Sequence, residues 1–148
     1  MNYRRLELIY ENPLASEADV ANFVMEGSAE IAFPEGRMRM WNRMDESAGQ
    51  AANFVFWCRE HFPDDIEISW DFYPIREPGL CMLFFAADGC GGTDLFDPRL
   101  AKREGIYKQY HSGDIHALHV SYFRRKAVKE RAFHVCNLRK SRGFHLVM

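Results

Sequence analysis

The chain has 148 residues, 14% of them aromatic, and a formal net charge of −2. It is long enough to bury the core of one domain, and its charge excludes the broad cationic field of a nucleic-acid-binding protein. No run is apolar enough to span a bilayer, and Leu6-Glu7-Leu8-Ile9-Tyr10-Glu11 is too acidic for a signal peptide core, so the expected setting is cytoplasmic with no membrane partner.

Cys58, Cys81, Cys90 and Cys136 have no C-x-x-C or zinc-knuckle spacing and read as reduced thiols, mostly small buried hydrophobes. Ser16-Glu17-Ala18-Asp19 fits a capping box and predicts one helical turn. Short strands are expected over residues 20–26, 29–33 and 37–41, separated by Gly27-Ser28 and by the turn Pro34-Glu35-Gly36. Residues 53–59 alternate, with Phe54, Phe56 and Cys58 on one face and Asn53, Val55, Trp57 and Arg59 on the other.

The run 65–72 alternates without a fault: Ile66, Ile68, Trp70 and Phe72 against Asp65, Glu67, Ser69 and Asp71. That pattern predicts a half-buried antiparallel strand. Residues 80–87 are apolar on both faces and predict a central strand. A short helix is expected over 97–105, with Asp97 as N-cap, Pro98 at the first position and Gly105 just past the end. Strands at 117–123, 133–138 and 144–148 complete an all-β antiparallel sandwich.

Several strings carry a resemblance. They include Asn53-Phe54-Val55-Phe56-Trp57-Cys58, Trp70-Asp71-Phe72, Pro78-Gly79-Leu80-Cys81-Met82-Leu83-Phe84-Phe85, Tyr110-His111-Ser112-Gly113-Asp114-Ile115 and Cys136-Asn137-Leu138-Arg139-Lys140-Ser141-Arg142-Gly143-Phe144. Across nearly its whole length the chain resembles the YesU-like family. The resemblance implies a concanavalin A-like jelly roll and an association with bacterial use of pectin, rhamnogalacturonan in particular. It implies no settled activity and transfers no catalytic residue. Family members run well past the position of Met148, so the expectation is a single domain over 1–148 that lacks its final strands. Such a sheet would take a homo-oligomeric partner or pair with the missing C-terminal strands.

The densest chemistry lies between Glu104 and Arg125, which holds three of the six histidines. Gly105-Ile106-Tyr107-Lys108-Gln109 is similar to the Gly-x-Tyr-x-Gln segment of jelly-roll polysaccharide lyases. β-Elimination on a uronate needs a neutralised carboxylate, a base for the C5 proton and an acid for the leaving oxygen. A tyrosine serves only where cations stabilise its phenolate. Tyr107, His111, His119 and Arg125 are therefore the candidate catalytic residues. Trp57, Arg59, Gln109, Asn137 and Arg139 are candidates to bind an anionic oligosaccharide by stacking and by bidentate arginine contacts. The alternative for Tyr107 is an amphipathic residue packed on the sandwich.

A glycosidase reading of Asp65, Glu67 and Asp71 is disfavoured. Glu67 and Asp71 would stand about 13 Å apart at strand rise, against about 5–5.5 Å for retaining and about 6.5–9.5 Å for inverting chemistry. His116 and His119 fall on opposite faces of a strand, which argues against paired zinc ligands. No cofactor is expected; the one metal the pattern allows is a structural calcium near Asp88, Asp94 and Asp97. The chain thus reads as a carbohydrate-active or carbohydrate-binding protein, a lyase or hydrolase if an enzyme, with a non-catalytic sugar-binding or subunit-interaction domain as the alternative.

Overall fold

In the computed structural model, which describes residues 7–125, 127–132 and 136–148, the chain enters through a turn tied down by Asp19. The Asp19 carboxylate accepts from the backbone N–H groups of Ala15 at 3.0 Å and Ser16 at 2.8 Å. This is the acidic half of the expected capping box, and the single turn Glu17–Val20 follows it. Two short strand pairs come next. β1 (Val24–Gly27) and β2 (Ala29–Ala32) precede β3 (Arg39–Asn42) and β4 (Phe54–Trp57); β1 pairs with β4 and β2 with β3, all antiparallel. The second half contributes β5 (Gly79–Gly89), the helix α1 (Tyr107–His111), β6 (Ile115–Arg125), β7 (Asn137–Ser141) and β8 (His145–Leu146). Its four strands form an antiparallel meander in the order β5-β6-β7-β8.

The architecture is the all-β antiparallel sandwich that the alternation predicts. Its core lies between β1–β4 and one face of the meander. Trp57, Leu95, Tyr110 and Ile115 are buried together, with Val24, Val55, Phe84, Ala87 and Phe96 packed around them. The β5–β6 register carries two irregularities. Tyr122 is an extra residue between the pairs Cys81↔Phe123 and Met82↔Ser121, and a second shift lies between Phe85 and Asp88, where Ala86 has a φ of 47°. Such bulges bend a long strand and increase its twist.

Two glycines allow the layers to close. A β-carbon at either Gly27 or Gly105 would run into the Asn53 carbonyl, and both residues have positive φ, 91° and 87°. The turn before α1 and the end of β1 therefore share one backbone oxygen as their point of closest approach.

Four features differ from expectation. Residues 65–72, the most regular alternation in the chain, form no strand ladder among the described residues. Trp70 and Phe72 lean on Tyr122, yet Ile66, Ile68, Trp70 and Phe72 remain 37–45% exposed. Alternation specifies which side chains share a face, and a ladder needs a neighbouring strand as well. The expected helix at 97–105 is a single turn at Asp97. Its side chain accepts from the Arg99 N–H, and Asp114 takes the Ala101 N–H at 2.6 Å, drawing the backbone out of helical bonding. A helix instead lies at Tyr107–His111, just past the expected one. In β4 the face that carries Trp57, expected to meet ligand, is the core face: Val55 and Trp57 pack inward, while Phe56 meets Phe23. Of the strand expected at 133–138, residues 133–135 lie outside the described residues; the described strand begins at Asn137.

Candidate functional site

The ladder β5-β6-β7 assembles one face of the meander from alternate residues. Phe84 pairs with His119 and Met82 with Ser121; His119 pairs in turn with Arg139, Ser121 with Asn137, and Ala117 with Ser141. Side chains at these pairs point the same way. The helix α1 lies across this face and delivers Tyr107 and His111, while the β7–β8 turn brings Phe144 over them.

Tyr107 Oη and His119 Nε2 are 2.8 Å apart. The Tyr107 ring stands edge-on to His111 with centroids 4.7 Å apart, and His111 lies 4.6 Å from Phe144. The Arg139 guanidinium sits 4.1 Å over the Phe144 ring. A second tie holds the turn against the helix: Gly143 N–H donates to the His111 carbonyl at 2.8 Å.

Burial controls the protonation of this group. His119 is completely enclosed, and desolvation lowers its pKa to about 4, helped by the positive charge of Arg139 and by His111. It is a neutral imidazole at physiological pH. Burial also lowers His111, with Lys108 and Arg139 adding to the effect. Tyr107 is raised by burial, and the nearby Arg139 opposes that shift. Arg139 is therefore the cation that a Tyr107 phenolate would lean on. Arg103, four residues before Tyr107, is committed elsewhere: it donates to the Glu26 carboxylate and to the Leu95 carbonyl.

Of the nine candidate residues, Tyr107, His111, His119 and Arg139 come together, and Asn137 shares their face one pair along β7. The other four do not join them. Trp57 is no stacking platform: it is 6% exposed, packs on Phe84 and Tyr110, and donates its indole N–H to Glu26 at 3.0 Å. Gln109 is used up locally, since its side-chain oxygen accepts from the N–H groups of Glu104 and Ile106 at the start of α1. Arg59 lies over the Phe96 ring at 4.9 Å, beside a cavity of about 380 Å³ that borders Glu26 and Arg103 instead of Tyr107. Arg125 sits six residues along β6 from His119, about 20 Å at strand rise, stacked on Phe123 and 3.8 Å from Glu77.

Sequence reasoning missed three participants. Phe144 was read only as the start of a strand, and Ser141 only within a string that carries the family resemblance. Glu26, which gathers Arg103, Tyr110 and Trp57 behind α1, gave no local signal. Its partners lie 31 to 84 residues away in the chain. No group of three or more His, Cys, Asp or Glu side chains suited to a metal occurs among the described residues. Asp88, Asp94 and Asp97 each accept from a nearby backbone N–H.

Residues 7–148 match the family described as a domain of unknown function, DUF1961. The chain belongs to the DUF1961 family. This DUF1961 chain is 58% identical over 144 residues to the uncharacterized protein YesU of Bacillus subtilis (strain 168), covering 97% of its own length and 63% of that relative. It also superimposes with a TM-score of 0.91, at 57% identity, on the crystal structure of a Bacillus subtilis protein of unknown function with a galectin-like fold. That alignment covers 98% of this DUF1961 chain and 64% of the solved one. The jelly-roll-type sandwich is thus shared with a close relative. No helix among the described residues is long and apolar enough to cross a membrane.

Proposed function

We propose that this chain recognises an anionic oligosaccharide on the meander face where Tyr107, His111, Asn137 and Arg139 gather over the buried His119, with a uronate-containing pectic fragment such as rhamnogalacturonan as ligand. The observation that carries the reading is the convergence of Arg139, an aromatic wall of Tyr107, His111 and Phe144, and the polar Asn137 on one sheet face. Aromatic edges and faces suit the apolar sides of a pyranose ring, and a guanidinium suits its carboxylate. The galectin-like fold of the solved relative supports the sugar class. The four cysteines are unpaired, which suits a reducing, cytoplasmic setting.

Calorimetric titration with oligogalacturonates and rhamnogalacturonan oligosaccharides tests this. Binding is expected, weakening as salt rises. Arg139→Gln should lower affinity at least about tenfold, in line with loss of a charge-assisted hydrogen bond. Absence of binding at about millimolar concentration, or equal affinity for neutral and uronate oligosaccharides, would overturn the proposal.

The 2.8 Å contact between Tyr107 and His119 favours β-elimination as a second reading, with Tyr107 near the C5 proton. Because burial raises Tyr107, its phenolate is scarce at neutral pH, and such activity should climb as pH rises above 8. Ultraviolet absorbance of an unsaturated product would report it. A flat absorbance across that range retires the lyase and leaves recognition intact.

A further inference from the structure

Two segments lack a strand neighbour among the described residues, and they carry opposite charge. Residues 65–72 alternate as a strand does but belong to none, and every residue from 61 to 75 is exposed. The other segment is the edge of the meander. The order β5-β6-β7-β8 leaves the outer side of β8 unpaired among the described strands. That edge continues beyond β8: the Val147 N–H donates to the Leu138 carbonyl at 2.8 Å, and the Leu138 N–H to the Met148 carbonyl at 2.8 Å. It is apolar as well as open, with Leu146 59% and Val147 57% exposed. Residues 60–75 include Glu60, Asp64, Asp65, Glu67 and Asp71 and no Lys or Arg. Residues 136–148 include Arg139, Lys140 and Arg142 and no acid. Asp65, Asp71, Lys140 and Arg142 are exposed, and none of them is in an ion pair among the described residues.

We infer that residues 65–72 of one copy of this chain add as a strand to the β8 edge of a second copy. An open sheet edge offers main-chain donors and acceptors to an extended segment, and strand addition uses them for affinity. The alternation of residues 65–72 suits that use, because a strand added to a sheet turns alternate side chains to the same face. Pairing would also cover part of the strip Ile66, Ile68, Trp70 and Phe72, which stands 37–45% exposed. Charge selects this pairing over its rivals. Opposite charges across a ladder attract, whereas acidic strip on acidic strip, or basic edge on basic edge, sets like charges side by side. Each copy carries both halves, so two copies can exchange them reciprocally and close a dimer. The inference is independent of the sugar reading.

The test is a charge swap read by sedimentation velocity of the full chain over a concentration series. The wild type should associate, and less so as salt rises. Asp65→Lys with Asp71→Lys makes both halves basic, and Lys140→Glu with Arg142→Glu makes both acidic. Each double variant alone should remain monomeric where the wild type associates, and an equal mixture of the two should associate again. A wild type that is monomeric at every concentration overturns the inference. So does a double variant that associates as well as the wild type, or a mixture of two folded variants that stays monomeric. Should a variant not fold, hydrogen exchange of the wild type decides. Protection over 65–72 and over 145–148 should rise together with protein concentration; a rise confined to one segment, or none in either, overturns the inference.

Discussion

At the scale of single residues, His119 links the site to stability. Its pKa falls from the ordinary 6.5 to about 4 in the folded chain, so between those values the unfolded state binds more protons than the folded one. Stability from this group is complete above about pH 6.5 and is lost as pH falls toward 4. The loss amounts to up to about 3 kcal/mol, and His111, shifted the same way, adds to it. Urea unfolding at a series of pH values should show this slope, and His119→Gln should flatten it. An equal slope in the variant would mean that other groups carry the acid sensitivity. Asp97, held at about 2 by its hydrogen bonds with Arg99, titrates below that window and does not confuse the measurement.

Among elements, α1 is a five-residue helix, too short to stand without packing. It is fastened from behind by Glu26 on β1, whose carboxylate takes Arg103 at 2.7 Å and the Tyr110 hydroxyl at 2.8 Å. Arg103 and Glu26 side chains are 5% and 10% exposed, so neither charge has water to fall back on. Glu26→Ala should cost about 3–5 kcal/mol, the usual consequence of leaving a buried charge alone, read as a shift in the urea midpoint. Removing Glu104 from its exposed contact with Lys102 should cost far less. Gly105 makes a second test. A β-carbon there meets the Asn53 carbonyl, in a left-handed backbone, so Gly105→Ala should destabilise by at least about 2 kcal/mol. A variant as stable as wild type would mean that the approach of α1 to β4 is slack.

For the whole molecule, the uneven ladder predicts uneven protection. β6 is paired on both sides, with β5 and β7, while residues 65–75 belong to no strand among the described residues. Hydrogen exchange should be slowest along 115–121 and near the unprotected rate over 65–75. Slow exchange over 65–75 would show that this segment is paired, and a dependence of that protection on protein concentration would assign the pairing to a second copy. The same stretch exposes Ile66, Ile68, Trp70, Phe72 and Tyr73, the kind of contiguous apolar strip that favours association. Ile68→Ser with Trp70→Ser should reduce concentration-dependent sedimentation without altering far-ultraviolet dichroism.

What the sequence determined by itself was local. Period-two alternation marked most of the strands, and the acidic partner of Ser16 marked the first turn, because those signals depend on neighbours within a few residues. Tyr107, His111 and His119 were legible as chemistry because tyrosine and histidine crowd one short stretch. The tertiary structure decided everything that depends on distant partners: which parity of β4 is the core, that Trp57 satisfies Glu26, that Arg139 and not Arg103 faces Tyr107, and that Phe144 covers them. Residues 65–72 show the limit most plainly. Their pattern specifies a strand, but a strand is completed by hydrogen bonds to another segment, and no pattern within eight residues says where that segment is.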